Sequence, residues 1–208
     1  DRSVSRGLGD VYKRQGEAIQ PDPLYQGLLN ISGNGVMGYL EIPAIAVRVP
    51  ILHGTGEDAL TQGAGHLIGS SLPVGGSGTH CVLAGHRGLP SSKLFTDLDL
   101  VKEGDLLYLH VLDQTLGYEV DQIRIVEPKE TESLKIQPEE DLVTLVTCTP
   151  YGVNTQRLLV RGHRIELTEK TLEEAVPVRL STKTNYLLIA FIGLAVVAGI
   201  AVIYRKVS

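Results

Sequence analysis

Residues 144–162 read Thr144-Leu145-Val146-Thr147-Cys148-Thr149-Pro150-Tyr151-Gly152-Val153-Asn154-Thr155-Gln156-Arg157-Leu158-Leu159-Val160-Arg161-Gly162. The pattern is strand, turn, strand: β-prone residues run up to Cys148, Pro150, Gly152 and Asn154 supply turn chemistry, and aliphatic residues resume after Arg157. Folded as an antiparallel hairpin with Thr149 to Gln156 as its loop, the stretch sets Cys148 opposite Arg157. Val146 then faces Leu159, and Thr144 faces Arg161, on the same side. Thr147/Leu158, Leu145/Val160 and Val143/Gly162 share the other side, which is mostly apolar and suits a barrel interior. The hairpin therefore presents a thiol and a guanidinium side by side on its outer face. The expectation is a sulfur lying open in a cleft, where a cation can steady developing negative charge.

Upstream, the same grammar repeats. Short β-prone runs punctuated by Gly and Pro occupy Val36 to Ile42, Ala46 to Leu52, His80 to Ala84, Leu106 to Leu112 and Tyr118 to Val126. Leu142 to Cys148 and Arg157 to Val160 follow, the last continuing into His163 to Leu167. Many short strands with turn signals between them predict a mainly β fold that closes, or nearly closes, into a barrel. Helix is minor, with short segments expected at Glu57 to Gln62 and Ser92 to Leu98. With 208 residues, 43% of them hydrophobic, the chain can bury one domain-sized core, and its lack of Trp fits an aliphatic one. A net charge of −5 leaves no broad basic surface for nucleic acid.

The flanks read differently. Residues 1–15 are locally basic without apolar periodicity and read as a non-native or disordered leader. No apolar export segment follows them, so the native N-terminus is expected upstream. Residues 16–35 form a candidate lid or N-terminal segment ahead of a barrel domain over 36–168. Beyond it, 169–185 reads as a linker. Tyr186 to Tyr204 is a run of nineteen uncharged residues ending at Arg205-Lys206. As a helix it extends about 28 Å, enough to cross a bilayer, with 205–208 as a short tail. Arg179 and Lys183 balance Arg205 and Lys206, so flanking charge leaves the orientation open.

Two cysteines are too few for a disulfide framework or a structural zinc site. A single Cys81–Cys148 bridge is the bland alternative to a reactive thiol. Cys81 sits in the apolar run Cys81-Val82-Leu83-Ala84 and reads as core. A free thiol near neutral pH is mostly protonated, so a nucleophilic Cys148 needs a base or cation nearby. His86 is the candidate, in Ala84-Gly85-His86-Arg87-Gly88-Leu89-Pro90, where flanking glycines allow the backbone to turn and present the ring. His53, His66, His80, His110 and His163 compete, but none lies in a metal-ligand spacing. Arg157 stays protonated and suits an oxyanion, not a proton-transfer role.

These residues resemble a known family. Thr147-Cys148-Thr149-Pro150-Tyr151-Gly152 with Arg157 downstream is similar to the active-site strand pair of sortases, and Gly85-His86-Arg87-Gly88 to their histidine segment. Val36 to Pro43, Val49 to Thr55, Gly65-His66-Leu67, Ser71 to Gly76, Leu94 to Leu98 and Val120 to Ile123 resemble class C, pilin-polymerising members. The resemblance covers roughly Leu28 to Leu167. It implies an eight-stranded sortase barrel, catalytic roles for Cys148, His86 and Arg157, and a substrate-binding or supporting role for Thr147. It also implies cleavage of an LPXTG-like signal after Thr, a thioester on Cys148 and transfer to a pilin lysine amine. No metal or organic cofactor is required. The barrel is placed outside the cytoplasmic membrane of a Gram-positive cell, anchored through 186–204. Asp22-Pro23-Leu24 resembles a class C lid anchor, except that its third residue is aliphatic where an aromatic is usual.

Two rival readings remain at this point. A housekeeping sortase, joining surface proteins to cell-wall precursor, would use the same three residues. A sortase substrate would also end in an apolar span and basic tail, but it needs an LPXTG-like pentapeptide just before the span, and Ala175 to Asn185 contains none.

Overall fold

The computed structural model describes residues 22–88 and 93–168. The expected leader, linker, apolar span and tail, together with the start of the expected helix over Ser92 to Leu98, lie outside the described residues.

Eight strands close into a barrel: β1 (Val36–Ile42), β2 (Val47–His53), β3 (Ala64–His66), β4 (Thr79–Ala84), β5 (Leu106–Val111), β6 (Gln114–Val126), β7 (Asp141–Thr149) and β8 (Gln156–Ile165). Around the barrel they run β1-β2-β3-β4-β7-β8-β6-β5. Two neighbouring pairs, β2/β3 and β4/β7, are parallel, and the others are antiparallel. Among the described residues the helical segments are short: α1 (Pro23–Gly27), α2 (Glu57–Gln62), and three 3-10 turns at Pro43–Ile45, Leu98–Leu100 and Glu132–Leu134. Closure leaves no open sheet edge, which is how a β protein of this size avoids pairing with other chains.

Period-2 alternation fills the barrel. Leu40 and Ile42 of β1, Ile51 of β2, Cys81 and Leu83 of β4, Leu107 and Leu109 of β5, Val143 and Leu145 of β7, and Leu158 and Val160 of β8 form one buried cluster. Cys81 is thus a core residue, and burial pushes its thiol far above the ordinary range. The alternate residues do not all face water. Val82 and Ala84 of β4, Val146 and Cys148 of β7, Leu159 of β8 and Val126 of β6 form a second buried cluster, completed by Leu60 of α2, Leu67 and Leu134. The outer face at this end of the barrel is therefore itself a small core.

Two expectations needed correction. The turn segment before Val101 is a 3-10 turn at Leu98–Leu100 preceded by irregular turns, with Leu94 at φ 34°, not a helix extending to Leu98. And β3, absent from the expected strands, is a three-residue strand containing Gly65, too short for any periodicity to show. It is held from both sides, parallel to β2 and antiparallel to β4.

Candidate active site

The hairpin of β7 and β8 has the register read from the sequence: Cys148 pairs Arg157, Val146 pairs Leu159, Thr144 pairs Arg161, and Thr147 pairs Leu158. Pairing continues one step further than expected, through Thr149 and Gln156. The tight turn that remains is closed by Val153 and Asn154 amides donating to Pro150 O at 3.1 and 2.9 Å. Gly152 at φ 75° and Asn154 at φ 60° occupy the left-handed region, which is open to glycine and tolerated by asparagine.

β4 lies parallel to β7 with Ala84 beside Val146, and Gly85 N donates to Val146 O at 3.0 Å. Two residues past that pair, His86 comes level with Cys148. Thr147 fixes this junction. Fully buried, its hydroxyl donates to Gly85 O at 2.8 Å, so its visible task is to hold the histidine segment against the cysteine strand. Gly85 is required here by packing, because a Cβ would sit 2.5 Å from the Phe95 ring. Phe95 N donates to His86 O at 3.1 Å, and Gly88 N donates to Thr96 Oγ1 at 3.1 Å.

Arg87, whose role sequence reading missed, ties these pieces together. Its guanidinium donates to Thr96 O at 3.1 Å and Thr149 Oγ1 at 3.4 Å, pairs with Asp99, and lies 5.7 Å from the Tyr151 ring centre. It stands between the neighbour of His86 and the neighbour of Cys148. Only the fan of five donors on an arginine serves three directions at once.

The three side chains are brought to one end of the barrel, but not as an open cleft. Cys148 is 2% exposed, His86 3% and Arg157 4%. The expectation of a bare sulfur is corrected. Alternation along β7 assigned Cys148 to the outer face, yet that face is covered by the second apolar cluster, with Leu60, Leu67 and Leu134 supplied by segments remote in sequence. The disulfide alternative is also set aside, since both cysteines are free.

Burial raises the Cys148 thiol above its ordinary range, and the Arg157 cation beside it pulls part of the way back. Both ring nitrogens of His86 and Nε of Arg157 are buried without a hydrogen-bond partner. Arg157 Nη1 donates to Gln156 O at 2.9 Å and Asn154 O at 3.2 Å, which holds the group at the strand end with Nε free. Buried polar atoms are normally satisfied, so three open ones around one thiol mark a place prepared for something else. A carboxylate faces the ring: Glu57 on α2, with Oε1 3.6 Å from His86 Nε2. Nothing in the sequence singles it out, since an acid opening a helix is ordinary.

The candidate lid residues Asp22, Pro23 and Leu24 open α1. Asp22 caps α1 by accepting from Leu24 N at 3.0 Å, and the Leu24 side chain is 71% exposed. It is Tyr25 that docks the segment: its hydroxyl accepts from Gly54 N and meets His66 Nδ1, each at 2.9 Å. Burial raises that phenol to about 12. His53 adds a second tie, its two ring nitrogens facing Leu28 O at 2.7 Å and Gly35 O at 3.0 Å. Among the described residues, no cluster of ligand-type side chains is arranged to hold a metal.

Comparison with known proteins gives the same assignment. The chain is similar to the sortase C of Streptococcus pneumoniae, solved in a study of catalysis and pilin substrate specificity, with 57% identity and a TM-score of 0.64 over 65% of this chain and 71% of that one. Sortase C-1 of Actinomyces oris shares 50% identity with a TM-score of 0.69, over 74% of this chain and 86% of that one. Sortase D of Bacillus subtilis is 32% identical over 131 residues, 62% of this chain and 63% of that protein. The chain spans less than two thirds of the length of the curated relatives it matches. The sortase domain family model matches residues 40–165, from β1 to the last residue of β8, and the chain belongs to the sortase family.

Proposed function

We propose that the protein is a class C sortase, a cysteine transpeptidase that joins pilin subunits. Cys148 is the nucleophile, His86 the proton carrier and Arg157 the oxyanion partner. The observation that carries this reading is the pairing of Cys148 with Arg157 across β7 and β8 with the His86 segment running on from β4 alongside β7, while both His86 ring nitrogens and Arg157 Nε are unpartnered. The class assignment is supported by the 57% and 50% identity to two sortase C structures.

In the first half-reaction the Cys148 sulfur attacks the Thr carbonyl carbon of an LPXTG-like signal, and its proton passes to His86. Arg157 Nε, the donor left open at rest, faces the negative oxygen of the tetrahedral adduct. The C–N bond then breaks, with the His86 proton leaving on the Gly amine, and a thioester remains. A lysine amine of another pilin resolves it. Because the thiol is closed off in the described state, the cover over Cys148 must shift before the peptide can reach it. Residues 186–204 anchor the barrel on the outer side of the cytoplasmic membrane in this reading, with 205–208 as the inner tail. No metal or organic cofactor takes part.

The test is mass spectrometry of the full chain after incubation with an LPXTG-type peptide. An acyl adduct on Cys148, absent in Cys148→Ala, is expected, and no adduct on the wild-type chain would refute the reading. Offering a lysine peptide against oligoglycine as acceptor then separates the pilin-joining class from the housekeeping one.

A further inference from the structure

α2 begins beside the reacting end of the barrel, and its first residue is Glu57. Its Oε1 lies 3.6 Å from His86 Nε2, beyond hydrogen-bond range yet within ion-pair range. The two partners differ in access, for the imidazole is buried while the Glu57 side chain is 55% exposed. The carboxylate thus spans from solvent to the ring. Exposed Asp58 follows it, and among the described residues no lysine or arginine pairs with either acid. An acid needed only to complement the helix dipole could point anywhere into solvent. This one points at a base whose two nitrogens lack partners.

We infer that Glu57 receives the acceptor amine in its ammonium form and delivers it to His86, making it a specificity residue for the second half-reaction. The inference rests on the transpeptidation reading above. Near neutral pH a lysine side chain is almost wholly protonated and cannot attack. A carboxylate beside the base concentrates that cation where its protons can be removed. One proton leaves to solvent as the ammonium becomes the free amine. The nitrogen then attacks the thioester carbon, its second proton passes to His86 Nε2, and the C–S bond breaks to give the amide, the Cys148 thiolate and an imidazolium. Charge and atoms balance without any further reactant. Oligoglycine also carries an ammonium, so the selectivity at Glu57 is for charged over neutral amines.

The experiment acylates the full chain and its Glu57→Gln and Glu57→Lys variants with an LPXTG-type peptide. The thioester is then partitioned between aminolysis and hydrolysis, using either a lysine peptide or hydroxylamine, which is uncharged at neutral pH. Glu57→Gln is expected to lower the aminolysis-to-hydrolysis ratio about tenfold for lysine, equivalent to about 1.4 kcal/mol, and Glu57→Lys to lower it further. The hydroxylamine ratio should change less than about twofold, since no charge is recognised. An unchanged lysine ratio in Glu57→Gln, or a parallel loss with both amines, overturns the inference while leaving the proposed function standing. Failure of the wild-type chain to form any thioester overturns both.

Discussion

Replacing Arg87 by lysine keeps the charge and removes the geometry. In the native chain the guanidinium reaches Thr96 O, Thr149 Oγ1 and Asp99 in three directions and lies over Tyr151. A lysine ammonium on its single stem can satisfy one of these. Two hydrogen bonds at about 1 kcal/mol each are lost, and about 0.5–1 kcal/mol of cation–aromatic contact goes with them. The sum is about 2.5–3 kcal/mol. At roughly 2–4 °C per kcal/mol for a chain of this size, Tm should fall by about 5–12 °C. The effect on chemistry follows from position: Arg87 adjoins His86, and Thr149 adjoins Cys148, so slackening their link lets the ring and the sulfur drift apart. A displacement of about 1 Å can cost about 100-fold in rate. We expect the acylation rate to fall about 10- to 100-fold with KM little changed, because no substrate contact is removed. Calorimetry and single-turnover acylation followed by mass spectrometry measure the two effects on one preparation. A lowered Tm with acylation within twofold of wild type would show that Arg87 supports the loop without setting the His86 position, and the reasoning would fail.

Two further outcomes follow from buried titrating groups. Iodoacetamide at neutral pH should leave Cys81 unlabelled and label Cys148 slowly, the Cys148 rate climbing as pH rises past the ordinary thiol range, because burial raises both thiols. Arg157→Gln removes the cation that partly offsets that burial and should slow Cys148 further; faster labelling in the variant would count against the pairing. His66 and His80 are held neutral by burial, His66 bridging Tyr25 and Ser71 O, and His80 bridging Thr144 and Lys135 O. Their folded pKa values lie below the unfolded one, so the unfolded chain binds more protons below about pH 6.5. Stability from this source is present above that pH and is lost as pH falls through it. Tm should drop between pH 7 and 5, and a His66→Gln, His80→Gln double variant, though less stable at pH 7, should show a shallower drop; an equal slope in both proteins would exclude these two rings as the cause.

How much of this was legible in the sequence depends on what kind of information each feature needs. The β7/β8 register was readable because it is local: turn residues at 150, 152 and 154 and alternation on both sides leave one sensible pairing. Helix α2 was readable for the same reason. β3 was not, since three residues carry no period and its existence is decided by β2 and β4 on either side. The failure at Cys148 is more instructive. A period of two says which face a residue takes, and that was right; it says nothing about what lies over the face. Leu60, Leu67 and Leu134 come from a helix, a strand exit and a 3-10 turn, and only closure of the barrel brings them above one sulfur. Glu57 was hidden in the same way, because its distance to His86 is a fact of how α2 packs on β2 and β3. Chemistry that depends on residue type was thus visible in the chain, and access to that chemistry was not. On the proposed reading, a buried thiol that acts on a peptide needs both. The consequence is that control of this site is to be sought in the covering residues of the second cluster more than in Cys148, His86 and Arg157.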